Sequence, residues 1–189
     1  KEDEQHSHIP VVLLSARTNV ETKIEGMECG ADSYIEKPFS IEFLKAQVNS
    51  LLKNRLLIQD KFARSPFIPF GSIANNKNDE AFINKLNDEI ERNLSDPEYS
   101  IEKLSMALSV SRSNLQRKIK GLSGMTPNDY IRVFRLKKSA QLLINGEYRI
   151  NEICYLVGFN SPSYFSKCFQ KQFGSLPKEF VKNMEQESS

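Results

Sequence analysis

Long apolar runs, paired cysteines and a catalytic constellation are what this 189-residue chain lacks. No apolar stretch approaches the roughly 18 to 20 residues a membrane span needs, and no signal peptide opens the sequence. The three cysteines, Cys29, Cys154 and Cys168, show no CxxC spacing. That argues against zinc and disulfides and for a reducing, cytoplasmic compartment. Histidine is confined to His6 and His8. The His6-Ser-His8 pair leaves a metal reading open. No carboxylate, serine or cysteine stands at a recognisable catalytic spacing, so neither an enzyme nor a bound cofactor is expected. Cys29, following a helix at a glycine turn, reads as packed rather than nucleophilic.

What is present is an ordinary soluble composition, 39% hydrophobic and 26% charged, in a length that suits one or two domains. The net charge of +2 conceals an asymmetry: residues 1–75 carry 9 basic and 10 acidic side chains, residues 76–189 carry 17 and 14. Within 112–138 stand Arg112, Arg117, Lys118, Lys120, Arg132, Arg135, Lys137 and Lys138 against Asp129 alone. Such a cluster predicts a phosphate-binding face.

Residues 9–53 read as strand, helix, strand, helix. Ile9 to Leu14 is a continuous apolar run of the kind buried in a parallel sheet, and 20–28 places Ile24 and Met27 at helical spacing. Asp32 to Lys37 is a short second strand stopped by Pro38. Ser40 caps a helix whose Ile41, Leu44, Val48, Leu51 and Leu52 form an apolar stripe. From 54 to 80 the pattern lapses into a linker, although Phe62, Phe67, Ile68 and Phe70 are too apolar for a free tether. Helix resumes at 82–94.

Beyond it, two stretches follow one pattern. Ile101, Leu104 and Leu108 lead into Ser111 to Ile119, and Ile150, Ile153 and Val157 lead through Gly158-Phe159 into Ser161 to Phe169. Each is a short apolar-periodic helix, a tight turn and a second helix opened by serine, the pattern of a helix-turn-helix unit. Inward positions Leu115, Ile119 and Leu122 leave Arg112, Ser113, Asn114, Gln116, Arg117 and Lys120 outward. Arginine pairs the guanine acceptors and Gln or Asn pairs adenine in a major groove. Thr126-Pro127 launches a long helix to about Leu143 between the units. Phe165, Phe169 and Phe173 recur every four residues, a stripe that reads as core.

These motifs, with the run Ser-Arg-Ser-Asn-Leu-Gln-Arg-Lys at 111–118, Gly124-Met-Thr-Pro127, and Val157-Gly-Phe159 to Phe173-Gly174 with Pro177, make residues 82–183 closely resemble the AraC/XylS-type DNA-binding domain. The resemblance implies a mainly α fold, a seven-helix bundle with two helix-turn-helix units whose second helices enter successive major-groove segments. It implies base contacts from Ser113, Gln116 and Arg117, then Pro162, Ser163 and Lys167, with Arg112, Asn114, Lys118 and Tyr164 as neighbours. Ser105 and Cys154 replace the family's frequent alanine, and Ser109 stands where glycine is frequent. Pro162 removes a donor from the second reading helix, which shifts that unit toward shape and phosphate contact.

Residues 9–53 resemble the C-terminal part of a response-regulator receiver, carried by Pro10 to Ala16, Gly30-Ala-Asp-Ser-Tyr34 and Lys37-Pro-Phe39. The resemblance implies phosphoryl-binding roles for Ser15 and Lys37, a switch rotamer for Tyr34, and a Lys-Pro bond that is often cis. On chemistry alone, Lys37 could equally be a plain surface lysine. The metal-binding acidic pair and the phospho-acceptor aspartate of a receiver are not in this stretch, and Asp32 is no substitute. Mg2+ is therefore expected only for an intact receiver.

The expected organisation is a partial βαβα receiver (1–53), a linker (54–80), an AraC-type DNA-binding domain (81–184) and a tail (185–189). The start at Lys1 favours a fragment. The expected function is a sequence-specific transcription regulator at the output end of a two-component phosphorelay, or at the cytoplasmic end of a membrane-anchored hybrid sensor. Its expected partners are double-stranded DNA, an upstream histidine kinase domain and a second copy through residues 9–53. The alternative is a phosphotransfer or dimerisation module whose C-terminal domain makes protein contacts.

Overall fold

The computed structural model describes residues 7–16 and 19–187. Strand β1 (Val12–Ser15) pairs in parallel with β2 (Ser33–Glu36), with Leu13 opposite Tyr34 and Ser15 opposite Glu36. Helix α1 (Val20–Glu28) crosses between them, opened by Asn19, whose side chain accepts from Thr22 N. Helix α2 (Ile41–Arg64) begins at the Ser40 cap. The rest is helical: α3 (Lys77–Arg92), α4 (Ile101–Ala107), α5 (Arg112–Ser123), α6 (Pro127–Asn145), α7 (Ile150–Leu156), α8 (Pro162–Phe173) and α9 (Pro177–Glu187). The fold is therefore mainly α, with seven helices from α3 onward behind a small βαβα unit. No described helix is long and apolar enough to cross a membrane.

The segment expected to be a linker is structured. Residues 54–64 are the second half of α2, because they contain neither glycine nor proline and carry the Asp60–Arg64 pair at 2.7 Å, one turn apart. The helix stops at Arg64, where Ser65 is forced extended by Pro66. Phe70–Ile73 forms one 3-10 turn, and α3 starts five residues before the predicted helix, at an Asn76 cap.

Two separate cores hold the helical region. The first gathers Ile83, Leu86 and Ile90 of α3, Leu104, Leu115, Ile119 and Tyr130, and also takes in Phe62 and Ile73 from the expected linker. The second gathers Leu136, Leu143, Ile153, Val157, Phe165, Phe169 and Phe180. Helix α6 contributes to both, its first half to one and its second half to the other. Phe62 is fully buried, 5.4 Å from Phe70 and 6.3 Å from Tyr130 by ring centroids. Burying one such side chain stabilises by about 1.5–3 kcal/mol.

Residues 9–53 are less enclosed. Ile35 is buried, but α1 buries nothing, and Ile24, Met27, Ile41, Phe43, Val48 and Leu52 are exposed. Of the apolar stripe read on the start of α2, Ile41, Val48 and Leu52 are exposed among the described residues, while Leu44 and Leu51 are half-buried.

Candidate nucleic-acid interface

The rotation of α5 is set by its apolar side: Leu115, Ile119 and Leu122 are buried. Ser111 caps its start, the hydroxyl accepting from Asn114 N at 3.3 Å. What remains outward is Arg112, Ser113, Gln116, Arg117 and Lys120, with Asn114 half-buried. Gln116 and Arg117 make no hydrogen bond or ion pair with any described residue, so their donors and acceptors stay available to a ligand. Arg112 instead donates to Glu102 of α4 at 2.8 Å, and the Ser113 and Ser111 hydroxyls lie 3.2 Å apart.

Lys118 corrects the expectation. It sits on the core side of α5 between Leu115 and Leu122, is only 7% exposed, and lays its ammonium 4.5 Å from the Phe82 ring centroid. It is a packed cation beside α3 and not a neighbour of the reading face.

The basic run at 112–138 is likewise not one face. The chain reverses between α5 and α6, and α6 turns Arg135 and Lys137 into the protein. Lys137 is 1% exposed, donates to the carbonyls of Ser65 at 2.7 Å and Ile68 at 2.9 Å, and lies 4.2 Å from the Phe62 ring centroid. No carboxylate is paired with it, and burial pulls its ammonium down to about 8. Lys138 pairs with Glu91 and Arg132 with Asp129.

In the second unit Ser161 caps α8, accepting from Tyr164 N at 3.4 Å, and Pro162 occupies the first helical position. Phe165 and Phe169 are fully buried, which turns Ser163, Tyr164 and Lys167 outward and leaves Pro162 half-buried. Lys167 has no partner among the described residues. The two turns are closely alike. Val110 N bonds Ser105 O and Phe159 N bonds Cys154 O, each at 3.0 Å. The second has one more residue, Asn160, ahead of its capping serine.

Sequence reasoning missed a cleft of about 380 Å³ that opens between the start of α6 and the second turn. Asn128, Arg132, Arg135, Asn160, Ser161 and Tyr164 line it. Arg135 donates to Gly158 O at 3.1 Å and Asp96 O at 2.6 Å, while its buried Nε has no acceptor. Burial lowers the Arg135 pKa, and no carboxylate is paired with it. Asp129 already offsets Arg132, and its carboxyl is held below its ordinary range by the Thr126 hydroxyl and by Arg132. The cleft thus sets two arginines, each near a carboxylate, beside two amides and the Ser161 and Tyr164 hydroxyls, a lining with donors for a phosphodiester.

At the other end, β1 and β2 bring Ser15 and Lys37 together: Lys37 N donates to Ser15 O at 2.8 Å. Lys37 is exposed, Tyr34 half-buried opposite Leu13, and the Lys37-Pro38 bond is cis. The Asp32 carboxylate accepts from Val11 N at 2.7 Å. His8 is buried, its ring against Gly121 of α5, and His6 lies outside the described residues. No group of three metal-binding side chains occurs among the described residues. Cys29 is exposed rather than packed.

Comparison with known proteins places these observations. Residues 104–183 match the family model of a helix-turn-helix domain. The chain is 41% identical over 180 residues to a protein named Histidine kinase P4 from Formosa agariphila, a match covering 95% of this chain and 13% of that one. It is 31% identical over 100 residues to the transcriptional activator AggR of Escherichia coli, covering 53% and 37%. The chain thus spans only a minor part of these relatives' lengths. A solved transcriptional regulator of Chromobacterium violaceum, described as containing an AraC-type DNA-binding domain, superposes with a TM-score of 0.52 at 26% identity, over 57% of this chain and 95% of that one.

Proposed function

We propose that this chain is a sequence-specific DNA reader of AraC type at the cytoplasmic output end of a two-component phosphorelay, supported by the helix-turn-helix match at 104–183 and the likeness to a solved regulator with an AraC-type DNA-binding domain. The observation that carries the reading is the outward pair Gln116 and Arg117, without a partner among the described residues, on a helix whose rotation is fixed by three buried aliphatics. Arg117 pairs the O6 and N7 of a guanine and Gln116 an adenine edge. Arg112 and Ser113 steady the entry of α5. Ser163 and Lys167 supply the second, weaker contact, with Tyr164 and the Arg132–Arg135 cleft on the phosphates.

The phosphorelay part rests on the long match to a protein named as a histidine kinase and on the Ser15, Tyr34 and Lys37 arrangement. A kinase domain in the same or a partner polypeptide would then govern the reader, and residues 9–53 would dock on a second copy. Among the described residues Asp32 accepts from Val11 N and no group of three metal-binding side chains occurs, so a magnesium ion would call for acidic groups of an intact receiver.

Selection of bound sequences from a random duplex pool tests the reading. The expected result is a defined motif, and Arg117→Ala should cost about 1–3 kcal/mol and relax one base position. Lys167→Ala should cost less than Arg117→Ala and relax a base position in the second segment. If the unaltered chain binds every duplex equally and with little salt dependence, it is a protein-contact module instead.

A further inference from the structure

The two helix-turn-helix units have separate cores, and α6 alone joins them covalently as a helix. A second connection runs through α2. Near its end, the Gln59 amide donates to the carbonyls of Gly121 at 3.2 Å and Leu122 at 3.0 Å. Those belong to the last four carbonyls of α5, which an α-helix leaves without internal donors. One turn later, Ala63 O, equally orphaned at the end of α2, accepts from the Gln172 amide of α8 at 2.7 Å. One helix end therefore caps the first reading helix and is capped by the second.

The surroundings fit a rigid joint. A Cβ at Gly124, which has φ +75°, would stand 2.9 Å from Gln59 Oε1, so α2 passes where the α5 cap is bare of side chain. Lys137 pins the chain just past α2 through the Ser65 and Ile68 carbonyls, and Phe67 stacks on Phe180 at 6.1 Å. With Phe62 in the first core, the stretch 59–68 touches both units.

We propose that Gln59 and Gln172 are positioning residues that lock α5 and α8 at one separation, so that the chain selects the spacing of two base segments as well as their sequence. The proposal rests on the DNA-reading role. Segments read on one face lie about 34 Å apart, one duplex turn. One inserted base pair moves the second segment by about 3.4 Å and rotates it by about a tenth of a turn. A braced pair of helices cannot follow that shift, whereas an unbraced pair bends to it.

The test uses the full chain, Gln59→Ala, Gln172→Ala and the double variant, each first checked for an unchanged thermal melt. Gln172→Glu, which keeps the side-chain size but cannot donate, serves as a second variant should truncation disturb folding. Binding is measured on the selected duplex, on the same duplex with one base pair inserted between the segments, and on duplexes with either segment scrambled. The unaltered chain should lose about tenfold on insertion. The variants should bind the scrambled duplexes normally, lose affinity for the selected one and discriminate the insertion far less. Equal loss on every duplex, or unchanged discrimination, overturns the proposal.

A DNA-free measurement separates this from failure of DNA reading. Spin labels at Lys120→Cys and Lys171→Cys, with Cys29→Ser and Cys168→Ser, should give one narrow distance distribution that broadens in the double variant. A distribution that stays narrow overturns the brace even where DNA is read. If the unaltered chain selects no sequence, a broadening distribution still supports the brace while the reading role falls.

Discussion

Ser109 and Gly158 occupy matching turns with matching backbone, φ +54° and +77°, yet only one is glycine. An L-residue in the left-handed region costs about 1–2 kcal/mol, part of which glycine returns through its freer unfolded state. Ser109→Gly should therefore stabilise by about 0.5–1 kcal/mol, read as a raised midpoint in denaturant. Gly158 has no such latitude: a Cβ there would lie 2.4 Å from Leu94 O and 2.8 Å from Arg135 Cζ. Gly158→Ala should cost well over the ordinary strain and displace Arg135 from the interunit cleft. Lys137 gives a pH signature. Its ammonium titrates near 8 folded against 10.5 in the open chain, so the penalty of burying the charge is complete below pH 8 and fades as pH rises toward 10.5. Relative to Lys137→Met, the unaltered chain should gain stability across that window. A flat or falling difference would show that the two carbonyls and the rings already offset the burial.

The two reading helices were legible because serine caps, buried spacing and glycine turns all act locally, within a dozen residues. The charge run was legible as charge but not as geometry: Lys118 takes the core side of α5, and the reversal between α5 and α6 sends Arg135 and Lys137 inward. The cleft was invisible for the same reason, since Asn128 and Asn160 meet only in the folded chain. Helix α2 hid its second half because Leu56, Leu57 and Ile58 are adjacent and exposed, giving no single stripe to read. Its worth to the reader lies in Phe62, far from the matched 104–183. Phe62→Ala empties a fully buried site between Phe70 and Tyr130 and should destabilise by about 3–5 kcal/mol. Loss of stability confined to residues 7–40, followed by hydrogen exchange, would instead mean that α2 does not belong to the first core.

Taken whole, the molecule is tightly packed at one end and bare at the other. Helix α2 joins the two without a break, leaving Ser40 beside the small sheet and delivering Arg64 to the reader. Along it, Val48, Leu52 and Leu56 recur every four residues and are 37%, 48% and 65% exposed; Ile24 and Met27 of α1 are exposed as well, at 52% and 46%. Only β2 pairs with β1 among the described residues, so the strand also keeps an open edge. Apolar stripes of this kind find cover, and in a two-fold pair each residue would be buried twice. The chain should sediment as a dimer at micromolar concentration. Leu52→Glu with Leu56→Glu places charge at the centre of the stripe, and forgoing even one leucine's burial per copy should weaken association by at least about tenfold. Because both side chains are exposed and precede the turn of α2 that carries Gln59, binding to a duplex with one scrambled segment should not change. A double variant that dimerises as before would locate the contact on α1 or the β1 edge. A monomeric unaltered chain would show that residues 9–53 need the rest of a receiver, not a second copy, to cover them.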